Sequence, residues 1–147
     1  MKVVEYSVII NKPVNEVFSF IEDLRNRSKW EHGVIAVEVL SGKYEERGAV
    51  IQITNQVLGK KMETIAEVVE YEENKRVVCR AEKPFMHEIA NIYEDMNGKT
   101  KFTRRATANV DSHSSLTKFT SALLVKKIES VFQKTVQNAK VEVEKAT

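Results

Sequence analysis

The sequence predicts an α+β fold: a curved seven-stranded antiparallel sheet closed by a long C-terminal helix, with two short helices between strands 1 and 2. Three observations carry this. Ser115 to Lys145 contains neither Gly nor Pro, and Leu116, Phe119, Leu123, Leu124, Ile128, Val131, Phe132, Val136, Ala139 and Val143 recur at helical spacing. A helix of that length spans roughly 45 Å, enough to cross six or seven strands set about 4.8 Å apart. Val34 to Val110 instead alternates apolar and polar residues between short turns. Short turns make neighbours antiparallel, and alternation leaves one dry face that needs a cover. The terminal helix is the only element long enough to supply it.

The elements follow in order. Lys2 to Asn11 is rich in Val and Ile and reads as a strand. Pro13 suits a first helical turn, where its missing N–H costs nothing. Val14, Val17, Phe18, Ile21 and Leu24 then hold helical spacing, which predicts a helix to Asp23 and a further turn or two from Leu24 to Trp30. The predicted strands are Val34 to Ser41, Ala49 to Leu58, Lys61 to Tyr71, Arg76 to Glu82, His87 to Met96 and Lys99 to Val110. Gly42 to Gly48 is a polar turn, Gly59-Lys60 a tight one, and Lys83-Pro84 breaks the ladder. Asn97-Gly98 is a strong hairpin signal. Asp111 to Ser115 is a polar loop with residues able to cap the long helix.

Composition limits the function. With 147 residues the chain has the size of one domain, residues 1–147, and neither its 42% hydrophobic nor its 30% charged residues suggest disorder. Net charge is only +2 and the basic residues are dispersed, which argues against nucleic acid. No apolar run approaches the roughly 18 residues of a membrane helix. The N-terminus reads as a strand rather than a leader, and Cys79 is the only cysteine, so the expectation is a cytoplasmic protein. It is expected as a monomer or, through an exposed edge strand, a homodimer. No Gly-rich phosphate loop, paired metal-ligating histidines or Cys pair occurs, so no cofactor and no metal are expected. No nucleophile–base–orienter set can be assembled either, so no catalytic residue is assigned.

Ile10-Asn11-Lys12-Pro13-Val14-Asn15-Glu16-Val17-Phe18, running on to Phe20-Ile21-Glu22-Asp23-Leu24 and Trp30, resembles the opening of the polyketide cyclase/dehydrase-like proteins of the START/Bet v 1-like superfamily. Val57-Leu58-Gly59, Glu67 to Glu72 and Arg76-Val77-Val78 resemble that family's middle strands. The resemblance covers essentially the whole chain, through loose motifs of apolar spacing. It implies a helix-grip fold, in which the sheet closes around the C-terminal helix and leaves an apolar cavity. It also implies binding of a lipid, sterol, polyketide or quinone, in proteins of which only some are enzymes.

If the sheet curls in this way, Ile35, Val37, Ile51, Ile53, Met62, Val77, Cys79, Phe102, Phe119 and Leu123 are candidates for the cavity wall, or they simply fill the core. Arg104 is in register with Phe102, Ala106 and Ala108, so it points inward and needs an anion: a ligand carboxylate or enolate, or an internal Glu. His87, Asn91 and Tyr93 share one strand face and, if it is the inner one, can hydrogen-bond a ligand. Asn55 and Thr64 are candidate orienting groups, and Trp30 closes a cavity mouth or the core beneath the short helix. Cys79, mid-strand among apolar residues, reads as inert packing, and His32 and His113 as solvated loop residues. The expected function is binding of a hydrophobic small molecule, of lipid, polyketide, quinone or aromatic type. The alternatives are a polyketide cyclase or dehydratase and a protein-interaction module of the same fold.

Overall fold

The computed structural model describes residues 2–83, 85–108 and 115–146, with the side chains of residues 57, 115–122 and 124 outside that set. The chain runs β1 (Lys2–Ile10), α1 (Val14–Ile21), a 3-10 turn (Leu24–Asn26), α2 (Arg27–Trp30), β2 (Val34–Ser41), β3 (Val50–Val57), β4 (Lys60–Glu72), β5 (Arg76–Ala81), β6 (His87–Asp95), β7 (Thr100–Ala108) and α3 (Ser115–Lys145). One antiparallel sheet holds all seven strands in the order β1-β7-β6-β5-β4-β3-β2. Consecutive strands pair through short turns, and only β1 reaches across to close against β7. Pro84, residues 109–114 with their expected capping groups and His113, and the side chain of Phe119 lie outside the described residues.

Local sequence accounts for these elements. Pro13 sits one position before α1 in extended conformation, and its carbonyl accepts from the Glu16 and Val17 amides at 3.0 and 3.1 Å. Val17, Phe18 and Ile21 then face the core. Asp23 caps the 3-10 turn by accepting from the Arg25 amide at 3.0 Å. In β4 the register shifts between Val68 and Glu70, and this bulge is why the alternation blurs at Val69. A second bulge, between Val34 and Ala36, makes Ile35 the extra residue. Ile35 is therefore exposed rather than in the wall, whereas Val37 packs on the core.

The cover of the sheet is shared, which corrects the expectation that the terminal helix supplies it alone. α3 packs mainly along β1 and on α1 and α2, with lesser contact on β7. The Lys140 ammonium donates to the Ile9 carbonyl at 2.6 Å, and Glu144 accepts from the Asn11 amide at 2.9 Å. The C-terminal half of α3 thus lies beside the end of β1, burying Phe132, Thr135, Val136, Ala139 and Val143. α1 and α2 contribute Val17, Phe18, Ile21 and Trp30 to the same core, against Ile51, Val68, Tyr93 and Phe102 of the sheet. Because short helices cover part of the sheet and α3 one side, a space is left over the inner face of β3 to β6.

Candidate functional site

That space is a cavity of about 210 Å³. Its apolar wall is Ile51 and Ile53 of β3, Ala66 of β4, Val77 and Cys79 of β5, and Ile89 of β6, with Phe132 from α3. Its polar lining is Asn55, Thr64, His87 and Asn91 from the strands, Arg27 and Glu31 from the α2 segment, Tyr44 from the β2–β3 connection, and Arg104 from β7. Half-buried Asn55, Thr64 and His87 stand toward one end, and buried Arg27, Tyr44, Asn91 and Arg104 toward the other. The cavity is therefore half polar, not the mostly apolar one expected.

The polar end is a closed ring of hydrogen bonds. Arg27 donates to Glu31 at 2.8 Å, and the other oxygen of Glu31 accepts from Arg104. Arg104 also donates to the Asn91 amide oxygen at 2.8 Å. The Asn91 amide nitrogen donates to Glu22 at 2.9 Å, and Glu22 accepts from the Tyr44 hydroxyl at 2.7 Å. Tyr44 then accepts from Arg27 at 3.3 Å, closing the ring, while the Tyr93 hydroxyl donates to Glu22 as a branch. Two guanidinium groups face two carboxylates, so the cluster carries no net charge. Buried charges are tolerated when matched in this way. Arg104 thus finds its anion inside the protein, in Glu31.

Trp30 is wedged under both arginines. The Arg27 and Arg104 guanidinium carbons lie 5.5 and 5.3 Å from its ring centroid, within cation–π range. Its edge meets Phe102 at a centroid distance of 6.2 Å. The Nε atoms of Arg27 and Arg104 and the Trp30 indole nitrogen are buried without a hydrogen-bond partner. Each such donor costs about 1–3 kcal/mol, so this corner of the molecule is held together at some expense to stability.

The ring sets the titration behaviour. Burial alone would raise the Glu31 pKa, but the charges of Arg104 and Arg27 outweigh it and hold the carboxyl below its ordinary 4.5. Burial also opposes the charge of Arg27, yet Glu31, Tyr44 and Glu22 together push that guanidinium's pKa upward. Burial, then the Glu22 charge, raises Tyr44 and Tyr93 well above 10.0. Burial pushes the Cys79 thiol from 9.0 to about 11, which makes it the inert residue expected. A carboxyl with a depressed folded pKa stabilises fully above pH 4.5 and loses that contribution as pH falls through the folded value. Groups with raised folded pKa values stabilise below their unfolded values, 9.0 for the thiol and 10.0 for the tyrosines, and lose it above. The urea midpoint is therefore expected to be flat from about pH 5 to 9 and to fall on both sides. Denaturation curves across that range check this, and a midpoint still climbing between about pH 6 and 8 contradicts it.

The predicted site residues divide as follows. Ile51, Ile53, Asn55, Thr64, Cys79, His87, Asn91 and Arg104 line the cavity. His87 is tied by its Nδ1, 2.9 Å from the Phe85 carbonyl. Trp30 and Phe102 do not line it: both are fully buried, one beneath the arginines and the other against Trp30 and Tyr93. Met62 is on the inner face opposite Asn55, but beyond the end of β5, and is 59% exposed. Leu123 is 68% exposed, whereas Phe132, Val136, Ala139 and Val143 further along α3 are buried.

Sequence reasoning missed Arg27, Glu31, Tyr44 and Glu22. A signal existed for Glu22, which extends the stripe of Val14 and Phe18 by four residues and so falls on the buried face of α1. Arg27 and Glu31 are four apart across α2, a spacing that reads equally well as a surface pair. Tyr44 gave no signal, since it lies in a stretch otherwise polar and exposed.

Residues 1–144 match the protein family described as polyketide cyclase / dehydrase and lipid transport. The chain belongs to this family. No curated protein matches it in sequence. Among solved structures, a START superfamily protein from Mycobacterium smegmatis superposes with a TM-score of 0.80 at 13% identity, covering 99% of each chain. TTHA0849 from Thermus thermophilus gives 0.80 at 15% identity, again over 99% of each. The Zhui aromatase/cyclase from Streptomyces sp. R1128 gives 0.80 at 12% identity, over 98% of this chain and 94% of that one. This family member therefore has the START/Bet v 1 fold.

Proposed function

We propose that this protein binds a small hydrophobic molecule bearing a neutral hydrogen-bond acceptor, such as the carbonyl of a polyketide- or quinone-type ring, in the cavity over β3 to β6. The observation that carries this is the charge-balanced ring at the cavity's polar end. Each guanidinium has five N–H donors, and the ring uses two on Arg104 and two on Arg27. Donors remain, while the charges are already matched, so a carbonyl oxygen fits there better than a carboxylate. The volume of about 210 Å³ lies below the roughly 300–1,000 Å³ of pockets for drug-sized ligands and above the ~150 Å³ that admits benzene. One or two rings fit.

The cyclase or dehydratase reading has less support. A general acid or base works best with a pKa near the working pH. The lining groups with shifted pKa values move away from neutrality: Glu31 down, and Tyr44, Cys79 and Arg27 up.

Trp30, the only tryptophan, lies against the ring and serves as the reporter. Titration of its fluorescence with 1-tetralone is expected to show binding about tenfold or more tighter than with tetralin, which lacks the carbonyl, or 2-naphthoate, which adds a charge. Ile53→Trp, which fills the wall, is expected to abolish tetralone binding measured by calorimetry while the protein stays folded. Equal affinity for tetralone and tetralin, or an Ile53→Trp protein that still binds, overturns the reading. Native mass spectrometry of protein from cell extract then identifies the natural ligand.

A further inference from the structure

The end of the sheet where Asn55, Thr64 and His87 line the cavity carries apolar side chains that the core does not use. The two-residue turn Leu58–Gly59 joins β3 to β4 with both residues in left-handed backbone, at φ 51° and 79°. The β6–β7 turn has the same form at Asn97 and Gly98, at 55° and 93°. Asn-Gly is the pair such a turn prefers. Leucine is strained there, because its Cβ crowds the next carbonyl and its side chain offers no local hydrogen bond in return. Leu58 is also 94% exposed, so packing does not explain it. Neither the backbone nor the core accounts for a leucine at this tip.

It does not stand alone. Met62 near the start of β4, Met86 in the β5–β6 connection (51% exposed) and Leu123 on α3 are exposed on the same end. The ladders place Met62 and Met86 there: Ala81 pairs with both Ala66 and His87, and His87 with Ala108. Leu123 lies toward it, because α3 runs from Lys140 beside Ile9 back past Gln137 at Tyr6, toward the strand end where Lys2 pairs with Ala108. Exposed lysines lie between them: Lys60 and Lys61 after the tip, Lys83 before Met86, and Lys126 and Lys127 after Leu123. Among the described residues they outnumber the exposed Glu63, Glu82 and Glu129 of that end.

We propose that this rim docks on an anionic lipid surface, with Leu58 inserted at the acyl boundary and the lysines over the headgroups. Apolar side chains on separate tips, a turn, a connection and a helix flank, enter a fluid surface more readily than they form one shaped patch for a folded protein. The basic residues between them complement anionic headgroups. No helix among the described residues is long and apolar enough to cross a membrane, so the contact is peripheral. Docking this way turns the Asn55 and Thr64 side of the cavity toward the lipid.

The test is flotation of the ligand-free protein with vesicles of mixed phosphatidylcholine and phosphatidylglycerol, so it stands apart from what the cavity holds. The protein is expected to float with mixed vesicles and not with phosphatidylcholine alone. Leu58→Asn is expected to act in two opposite directions. It relieves the turn and raises Tm by roughly 2–4 °C, and it weakens vesicle partition roughly tenfold or more. Lys60→Gln with Lys61→Gln is expected to weaken partition by roughly 25-fold, about fivefold per lysine. Failure to bind mixed vesicles overturns the proposal. So does Leu58→Asn binding as tightly as the parent, which leaves charge adsorption without insertion. Leu58→Asn losing a co-purifying protein while the parent never floats also overturns it, in favour of a protein partner.

Discussion

Glu31→Gln is expected to cost about 3–5 kcal/mol of folding stability, read from urea denaturation. Among the described residues, Glu31 is the one carboxylate that touches both buried arginines. Glutamine keeps its shape but replaces an acceptor with an NH2 donor, which then faces a guanidinium donor. Arg27 and Arg104 are left over the Trp30 ring with Glu22 as the only carboxylate among the described residues of the cluster, and it reaches them through Tyr44 and Asn91. The Glu31 side chain keeps 14% of its accessible surface, so some water reaches it and the loss is expected near the lower bound, about 3 kcal/mol. Removing a whole pair is less damaging than removing half of one. Glu31→Leu with Arg104→Leu is therefore expected to cost less than the sum of the two single changes, by about 1–3 kcal/mol. Additivity would mean that the two side chains do not act as a pair, and the charge-balance account of the site would fail with it.

The sheet and the long helix were legible because their signals are periodic and repeated. An alternation over four or five residues survives one exception, and the predicted strand limits differ from the observed ones by a residue or two. The inward face of β7, and with it Arg104, follows from the same rule, whereas β6 is apolar on both faces and its alternation leaves open which side His87 and Asn91 take; both line the cavity. What failed was what periodicity does not record. Ile35 was misplaced because a bulge inserts one residue, and a bulge has no residue signature in β2. Met62 obeys the alternation but lies beyond the strand that would enclose it, since β5 ends at Ala81, opposite Ala66. Leu123 shares the helical spacing of the buried Phe132 and Val136 yet is exposed, a difference that spacing alone does not record.

The polar ring was hidden for a different reason. Its members come from α2, the ends of α1 and α2, the β2–β3 connection, β6 and β7, with Glu22 and Asn91 separated by 69 positions in the chain and Glu31 and Arg104 by 73. Arg27, Glu31 and Tyr44 each read alone as ordinary surface residues, and only the fold brings the members together. The one inference available in advance was that a buried Arg104 needs an anion. Which carboxylate answers it depends on where α2 sits, and a helix of four residues carries too little pattern to be placed from sequence.

That placement rests on Trp30, and Trp30→Ala is expected to be as damaging as the loss of Glu31, at about 3–5 kcal/mol. Trp30 is the last residue of α2 and fully buried. Its ring contacts Phe102 edge-on and carries both guanidinium groups on its faces. Alanine leaves a void beneath two charges whose positions depend on that surface, so packing and the hydrogen-bond ring loosen together. Trp30→Phe separates the two effects. It keeps an aromatic ring, loses volume and part of the cation–π attraction, and removes the unpartnered indole N–H, so about 1–2 kcal/mol is expected. The two variants should also differ in function. With α2 anchored, Trp30→Phe should bind 1-tetralone in calorimetry within about threefold of the parent, a difference well under 1.4 kcal/mol. Trp30→Ala should bind at least tenfold more weakly even where it is still folded. If Trp30→Ala unfolds no more readily than Trp30→Phe and binds the ketone equally well, then the ring stands without its aromatic base, and the polar end of the cavity is organised by hydrogen bonding alone.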